Sequence, residues 1–162
     1  MMIVGVVSDT HIPTRVRQLP SQLLEGLKGV DRIIHCGDIL IPQVLGQLWE
    51  IAPVDAVLGN MDSPAEFPNL PYRKVIEVGG FRLGIIHGHS RSGSTIQRAR
   101  DGFAEGAVDC ILFGHSHIPV IEERNGILML NPGSPTDKRM QKQYSYGKLY
   151  LDKRIRPELV FF

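Results

Sequence analysis

Six histidines, His11, His35, His87, His89, His115 and His117, all stand at or beside the end of a short apolar run. Asp9-x-His11 and His115-x-His117 each separate two donors by one residue. In extended chain that spacing turns both members to the same side, so each pair can point into one cavity. Asp38 and Asn60 follow two further apolar runs. Asp9, His11, Asp38, Asn60, His87, His115 and His117 thus make a donor set of Asp, Asn and His without cysteine. Such a set is borderline-hard and suits a divalent ion, manganese first, with iron, zinc, nickel or cobalt as alternatives. Seven donors are many for one ion. With Asp38 able to bridge through two oxygens, they fit two ions roughly 3.5–4 Å apart. Two carboxylates against two divalent cations leave the site at about +2, which would attract a phosphate monoester or diester. A bridging water there would lose its proton near neutral pH and attack phosphorus in line.

Strands must carry these residues to one place. Ile3–Val7, Arg32–Ile34, Val54–Leu58, Phe81–Ile86 and Cys110–Phe113 are rich in Val, Ile and Leu. That texture predicts strands buried on both faces. Between them, Leu19–Leu27, Pro42–Ile51 and Ser94–Ala104 have helical spacing. In the second, Val44, Leu45, Leu48 and Trp49 form one apolar face, with Trp49 expected in the core. Pro20 and Pro42 sit where helices can begin. From residue 71 hairpins are predicted: Arg73–Val78 to Phe81–Ile86 through Gly79-Gly80, and Val120–Glu123 to Ile127–Leu130 through Asn125-Gly126. Gly147–Leu151 and Glu158–Phe162 could add edge strands. Strands alternating with helices predict an α/β fold. A recurrence runs through it. Val30–Ile34 leads to Gly37-Asp38, Val54–Leu58 to Gly59-Asn60, and Val108–Leu112 to Gly114-His115. Each strand runs out into a glycine that lets the chain turn, and then into a potential ligand. The carboxyl edge of such a sheet is where ligands bind.

The 162 residues suit one domain, residues 1–162, with no linker or low-complexity segment. Eighteen Lys and Arg against 17 Asp and Glu leave a net charge of +1. No dedicated nucleic-acid or membrane-surface binder is expected at that balance. A hydrophobic share of 43% and a charged share of 22% exclude disorder. No apolar run nears the roughly 18–20 residues of a membrane span, and Ile3–Val7 is too short for a secretory signal. Cys36 and Cys110 have no paired spacing and read as core residues of a cytoplasmic protein. The end Leu159-Val160-Phe161-Phe162 would be awkward if exposed and could pack on a second copy, a possible homo-oligomer.

Asp9-x-His11, Gly37-Asp38, Gly59-Asn60, His87 and Gly114-His115-x-His117, in that order, resemble the calcineurin-like metallophosphoesterase superfamily. Chain length and Asn131-Pro132-Gly133-Ser134 resemble its small bacterial and archaeal phosphodiesterase branch, and the likeness runs from Val4 to about residue 151. The resemblance implies a four-layer αββα sandwich of two mixed β-sheets flanked by helices, with two metals at one edge. It implies that Asp9, His11, Asp38 and His117 hold one metal, and that Asp38, Asn60, His87 and His115 hold the other. It implies hydrolysis of a small phosphate ester by a metal-bridging hydroxide. Many family members place a histidine directly after the Asn, where this chain has Met61, which cannot donate a proton. A eukaryotic relative with this fold, a subunit of the retromer sorting complex, is a protein-binding scaffold with an incomplete metal site. That is the rival expectation, and the seven ligand types kept here weigh against it.

Other polar residues divide more evenly. His35 is expected to pack beside the ligands rather than among them, whereas His89 could face the substrate as a catalytic residue with Asn60. Asp31, Asp55 and Asp109 look like turn or cap residues, and Asp62 a brace for the Asn60 loop. Asn131-Pro132-Gly133-Ser134 could offer backbone N–H groups to phosphate. Arg91, Ser92 and Ser94 could meet phosphate or simply cap the next helix. Lys138, Arg139 and Lys142 read first as a solvated loop, with substrate contact as the lesser alternative.

Overall fold

A computed structural model describes residues 1–90 and 92–162. Arg91, one of the phosphate-loop candidates, lies outside the described residues. The order of elements is β1 (Met2–Val7), α1 (Ser21–Gly26), β2 (Arg32–His35), α2 (Pro42–Trp49), β3 (Val54–Ala56), β4 (Arg73–Val78), β5 (Phe81–Ile86), α3 (Thr95–Asp101), β6 (Cys110–Leu112), β7 (Val120–Arg124), β8 (Ile127–Asn131), β9 (Ser145–Leu151) and β10 (Ile155–Phe161). Two mixed five-stranded sheets result, in the orders β10-β9-β1-β2-β3 and β4-β5-β6-β8-β7. In the first, β1, β2 and β3 run parallel; in the second, β5, β6 and β8 do.

Strand alternation assigns each face its layer. On β1, Val4 and Val6 face the second sheet, where they join Ile34, Leu83, Ile85, Leu112 and Leu130 in one buried cluster. Val7 faces the other way, onto Leu23 and Leu27 of the α1 region and Val44 and Leu48 of α2. Beyond the second sheet, Ala99 of α3 and Phe103 close over Ile111 and Met129. The layers are therefore helix, sheet, sheet, helix, the expected sandwich. Each fully buried Val, Leu or Ile contributes about 1.5–3 kcal/mol through apolar surface removed from water. Strands β1, β2, β5 and β6 are enclosed between layers, which is why they read as unbroken apolar runs.

Trp49 is a correction. It is 59% exposed, while Val44 and Leu48 are buried. α2 ends at Trp49, so the last residue of its apolar face lies beyond the helix layer. The apolar tail packs partly within its own chain. β10 pairs along β9, and the Phe162 ring stacks on Tyr144 at 5.8 Å, leaving Phe161 as the exposed aromatic. Asp31 and Asp109 each accept a backbone N–H from a neighbouring strand, from Ile3 and Arg82 respectively, at 2.7 Å. Asp55 is no cap. It is buried between Arg32 and Lys74, at 2.6 and 2.7 Å. Among the described residues no helix is long and apolar enough to cross a membrane.

Candidate metal centre

The parallel strands of both sheets end at one edge. Ser8-Asp9 leaves β1, Gly37-Asp38 follows β2, Gly59-Asn60 follows β3, His87 leaves β5 and Gly114-His115 follows β6. Backbone bonds lock these loops together: Asp9 N–H to Gly37 O at 3.0 Å, His11 N–H to Asp38 O at 3.1 Å, and Gly114 N–H to His87 O at 3.1 Å. The two sheets are joined here by the His115 N–H, which donates to Asp9 Oδ2 at 3.0 Å.

The ligand pairs are not extended. Asp9, His11, Asp38, His115 and His117 all adopt positive φ, between 45° and 71°. Left-handed backbone is costly for residues with a Cβ, by roughly 1–3 kcal/mol each, and clusters at functional sites. Alternation along a strand is therefore not what aims these side chains. Tight turns aim them. The glycines also play a second part. Gly37 does take positive φ, at 101°, but Gly59 and Gly114 do not. At Gly59 a Cβ would lie 2.3 Å from Asp38 N, and at Gly114 it would lie 2.6 Å from Asp9 Oδ2. They are bare so that the two carboxylates can come close.

Seven side chains converge. Asp38 Oδ2 lies 3.3 Å from both His11 Nε2 and His87 Nε2. Asp9 Oδ1 lies 3.7 Å from His11 Nε2 and 3.4 Å from His117 Nε2. Asn60 Oδ1 lies 3.1 Å from His87 Nε2 and 3.2 Å from His115 Nδ1. Two donor groups stand out by geometry, Asp9–His11–His117 and Asp38–His87–His115.

Three atoms of the first group, Asp9 Oδ1, His11 Nε2 and His117 Nε2, are buried with no hydrogen-bond partner. An unpaired buried polar atom costs about 1–3 kcal/mol, so three facing one point call for a cation. The surrounding bonds fix the rings for that task. His117 Nδ1 donates to Asp137 O at 2.5 Å, and His87 Nδ1 to Cys36 O at 2.8 Å. A carbonyl can only accept, so each Nδ1 bears the proton and each Nε2 presents its lone pair. The donor set fits divalent metal ions.

Charge tells the same story. Burial opposes ionisation of Asp9, yet the facing imidazoles of His11, His117 and His87 hold its carboxyl well below the usual range. Burial likewise opposes ionisation of Asp38, and His11, His87 and the Met61 N–H overcome it. Burial would lower His11, but Asp38 and Asp9 push it up to about 9. His87 is raised against its burial by the same two carboxylates. Without metal, protons on these imidazoles would supply the positive charge that bound cations otherwise bring, and a cation would displace them from Nε2.

The remaining candidates fall into clear places. His35 is fully buried and takes no part in the donor groups; its Nδ1 accepts from Gly37 N–H at 3.1 Å and its Nε2 meets Thr10 Oγ1 at 3.0 Å. Burial drives it down to about 3. Asp62 does brace the loop, and more widely than expected, because its carboxylate accepts from four backbone N–H groups. Asn131-Pro132-Gly133-Ser134 is bound to the neighbouring loops. Gly133 N–H goes to Asn131 Oδ1, Asn131 Nδ2 to Gly114 O, and Ser134 Oγ to Asp9 O. These groups hold ligand loops. Ser94 caps α3, with its hydroxyl accepting from Gln97 N–H. His89 sits 5.4 Å from the His87 ring but lines a separate 160 Å³ cavity with Tyr72 and Arg98. Asp137 and Arg15, paired at 3.1 Å, escaped the sequence reading. A backbone carbonyl that orients a ligand leaves no mark on residue spacing.

Comparison with known proteins agrees with this geometry. The calcineurin-like phosphoesterase superfamily domain matches residues 2–154. A protein of Methanocaldococcus jannaschii described as a "probable metallophosphoesterase" is 37% identical over 161 residues, covering 98% of this chain and 81% of its own. Vps29 of Entamoeba histolytica complexed with Zn²⁺ superposes with a TM-score of 0.78 at 25% identity, covering 99% of each chain. A structure described as that of a novel archaeal phosphodiesterase shares the fold with a TM-score of 0.76 at 24% identity, covering 99% of this chain and all of the other. With its donor set at the carboxyl edge of a ββ sandwich, this chain belongs to the calcineurin-like phosphoesterase superfamily.

Proposed function

We propose that the protein is a dinuclear metal-dependent phosphoesterase that cleaves small phosphodiesters, acting in the cytoplasm as one domain over residues 1–162. Asp9, His11, Asp38 and His117 would hold one ion, and Asp38, Asn60, His87 and His115 the other, with Mn²⁺ favoured by the donor chemistry. The observation that carries this reading is the set of three orphaned ligand atoms beside an Asp38 oxygen equidistant from His11 and His87. When bound, the ions supply Lewis acidity and a water of lowered pKa. The chain does the rest. Asp38 spans the two donor groups, with its Oδ1 fixed by the Met61 N–H at 2.9 Å. The Asn60 carboxamide, between His87 and His115, orients a phosphoryl oxygen. Its neighbour Met61 is 58% exposed and lines the 360 Å³ cavity that opens on the centre.

The likeness to Vps29 supports a second reading, a protein-binding scaffold. The complete donor set, opening on a cavity sized for a small ester, favours the enzyme.

Met61 makes the reading testable. Without a proton donor there, the leaving oxygen departs with its negative charge largely uncompensated. Aryl phosphodiesters are therefore expected to be good substrates, with rates falling steeply as leaving-group pKa rises. A rate nearly flat across that series, with chemistry rate-limiting, would mean that another acid, His89 being the first candidate, protonates the leaving group.

A further inference from the structure

The cavity at the metal centre has a second, basic side. His11, Asp38, Asn60 and His115 line its inner wall, and Arg15 and Arg139 line its rim. They arrive from opposite parts of the chain, the loop after β1 and the loop between β8 and β9. Arg15 is held in place by Asp137, whose Oδ2 lies 3.1 Å from its Nε. Asp137 is itself tied to the centre, because its carbonyl accepts from His117 Nδ1. Among the described residues no other carboxylate pairs with Arg15, and none pairs with Arg139. Arg139 adopts φ of +49°, a left-handed conformation that is costly for a residue with a Cβ.

Charge shows what this rim is for. Two bound cations against Asp9 and Asp38 would leave the inner wall at about +2 before any hydroxide binds, enough for the reacting phosphate. Two guanidinium groups against the single Asp137 add about +1 more at the rim. A simple diester brings one negative charge and would leave that excess unused. Guanidinium groups bind phosphate in bidentate fashion, which suits a second phosphate on the same substrate.

Building on the phosphoesterase reading above, we propose that Arg15 and Arg139 form an anion subsite, and that the substrate is a small phosphodiester carrying an additional terminal phosphate. Arg139 supplies the free charge, and Arg15 supplies charge positioned by Asp137.

The test is a matched pair of ligands, the dinucleotide ApA and its 5′-phosphorylated form pApA, both with a phosphorothioate linkage that slows hydrolysis. Their affinities for the Mn²⁺-loaded protein are measured by calorimetry. The wild-type protein should bind pApA about tenfold more tightly or better, the effect of one charge-assisted contact. The preference should shrink with added salt. Arg139→Met should bring the ratio close to one, and Arg15→Met should lower it, while Arg15→Lys should keep part of it. Equal affinities in the wild-type protein would overturn the subsite, as would a preference that survives both methionine substitutions. Hydrolysis of oxygen-linked ApA answers separately to the phosphoesterase reading, because the affinity ratio does not depend on turnover.

Discussion

Asp38→Asn is expected to lower turnover by roughly 10²–10³-fold or more, the scale set by losing one fixed electrostatic contact at a reacting centre. Bound metal should fall with it. The carboxylate holds two relationships at once, 3.3 Å from His11 Nε2 and 3.3 Å from His87 Nε2, one ring from each donor group. Asparagine keeps the size and can still accept from the Met61 N–H with its Oδ1. Its amide would then turn toward the two imidazoles, where it offers hydrogens instead of a lone pair. The fold should survive, since Asp38 belongs to none of the three apolar clusters. Steady-state rates and metal content of the purified variant decide the matter. Wild-type turnover with a full complement of metal would remove Asp38 from its bridging role.

The largest stability loss is expected at a residue that is itself neither a metal ligand nor part of the apolar core. Asp62→Ala should destabilise the protein by about 3 kcal/mol or more, because several buried donors lose their acceptor together. Its two oxygens take N–H groups from Asp38 at 2.9 Å and from Ile39, Leu40 and Gly59 at 2.8 Å. Asp38 and Leu40 both hold positive φ, at 57° and 78°, so this carboxylate also sustains strained backbone. For a chain of this length the loss corresponds to a fall in Tm of about 6–12 °C. Thermal unfolding of the metal-free protein isolates the effect from ligand binding. An unchanged midpoint would show that the loop is held by something else.

Much of the architecture was legible because the strands of a four-layer sandwich are enclosed on both sides. Phe81–Ile86 and Arg73–Val78 match the predicted ends, since Gly79-Gly80 punctuates the hairpin between them. Helices were less legible at their ends: Leu19–Leu27 shrinks to Ser21–Gly26, behind Pro20. The ligand types and their order could be read from spacing, as each follows a strand. How they are aimed could not. Left-handed turns at Asp9, His11, Asp38, His115 and His117 arise from loops of two sheets pressed together. The same holds for Asp137, whose carbonyl orients His117 from 20 residues away in the chain. Gly59 and Gly114 were visible as glycines, but their close approach to Asp38 and Asp9 exists only in the assembled edge.

The central claim is two ions held by two distinct donor sets that share Asp38. Anomalous diffraction from crystals of the Mn²⁺-loaded protein tests it directly, with wild type, His117→Ala and His115→Ala compared. Wild type should show two peaks, one among Asp9, His11, Asp38 and His117 and one among Asp38, Asn60, His87 and His115. His117→Ala should empty chiefly the first, and His115→Ala the second. A single peak in the wild-type protein, or loss of the same peak in both variants, would contradict the account.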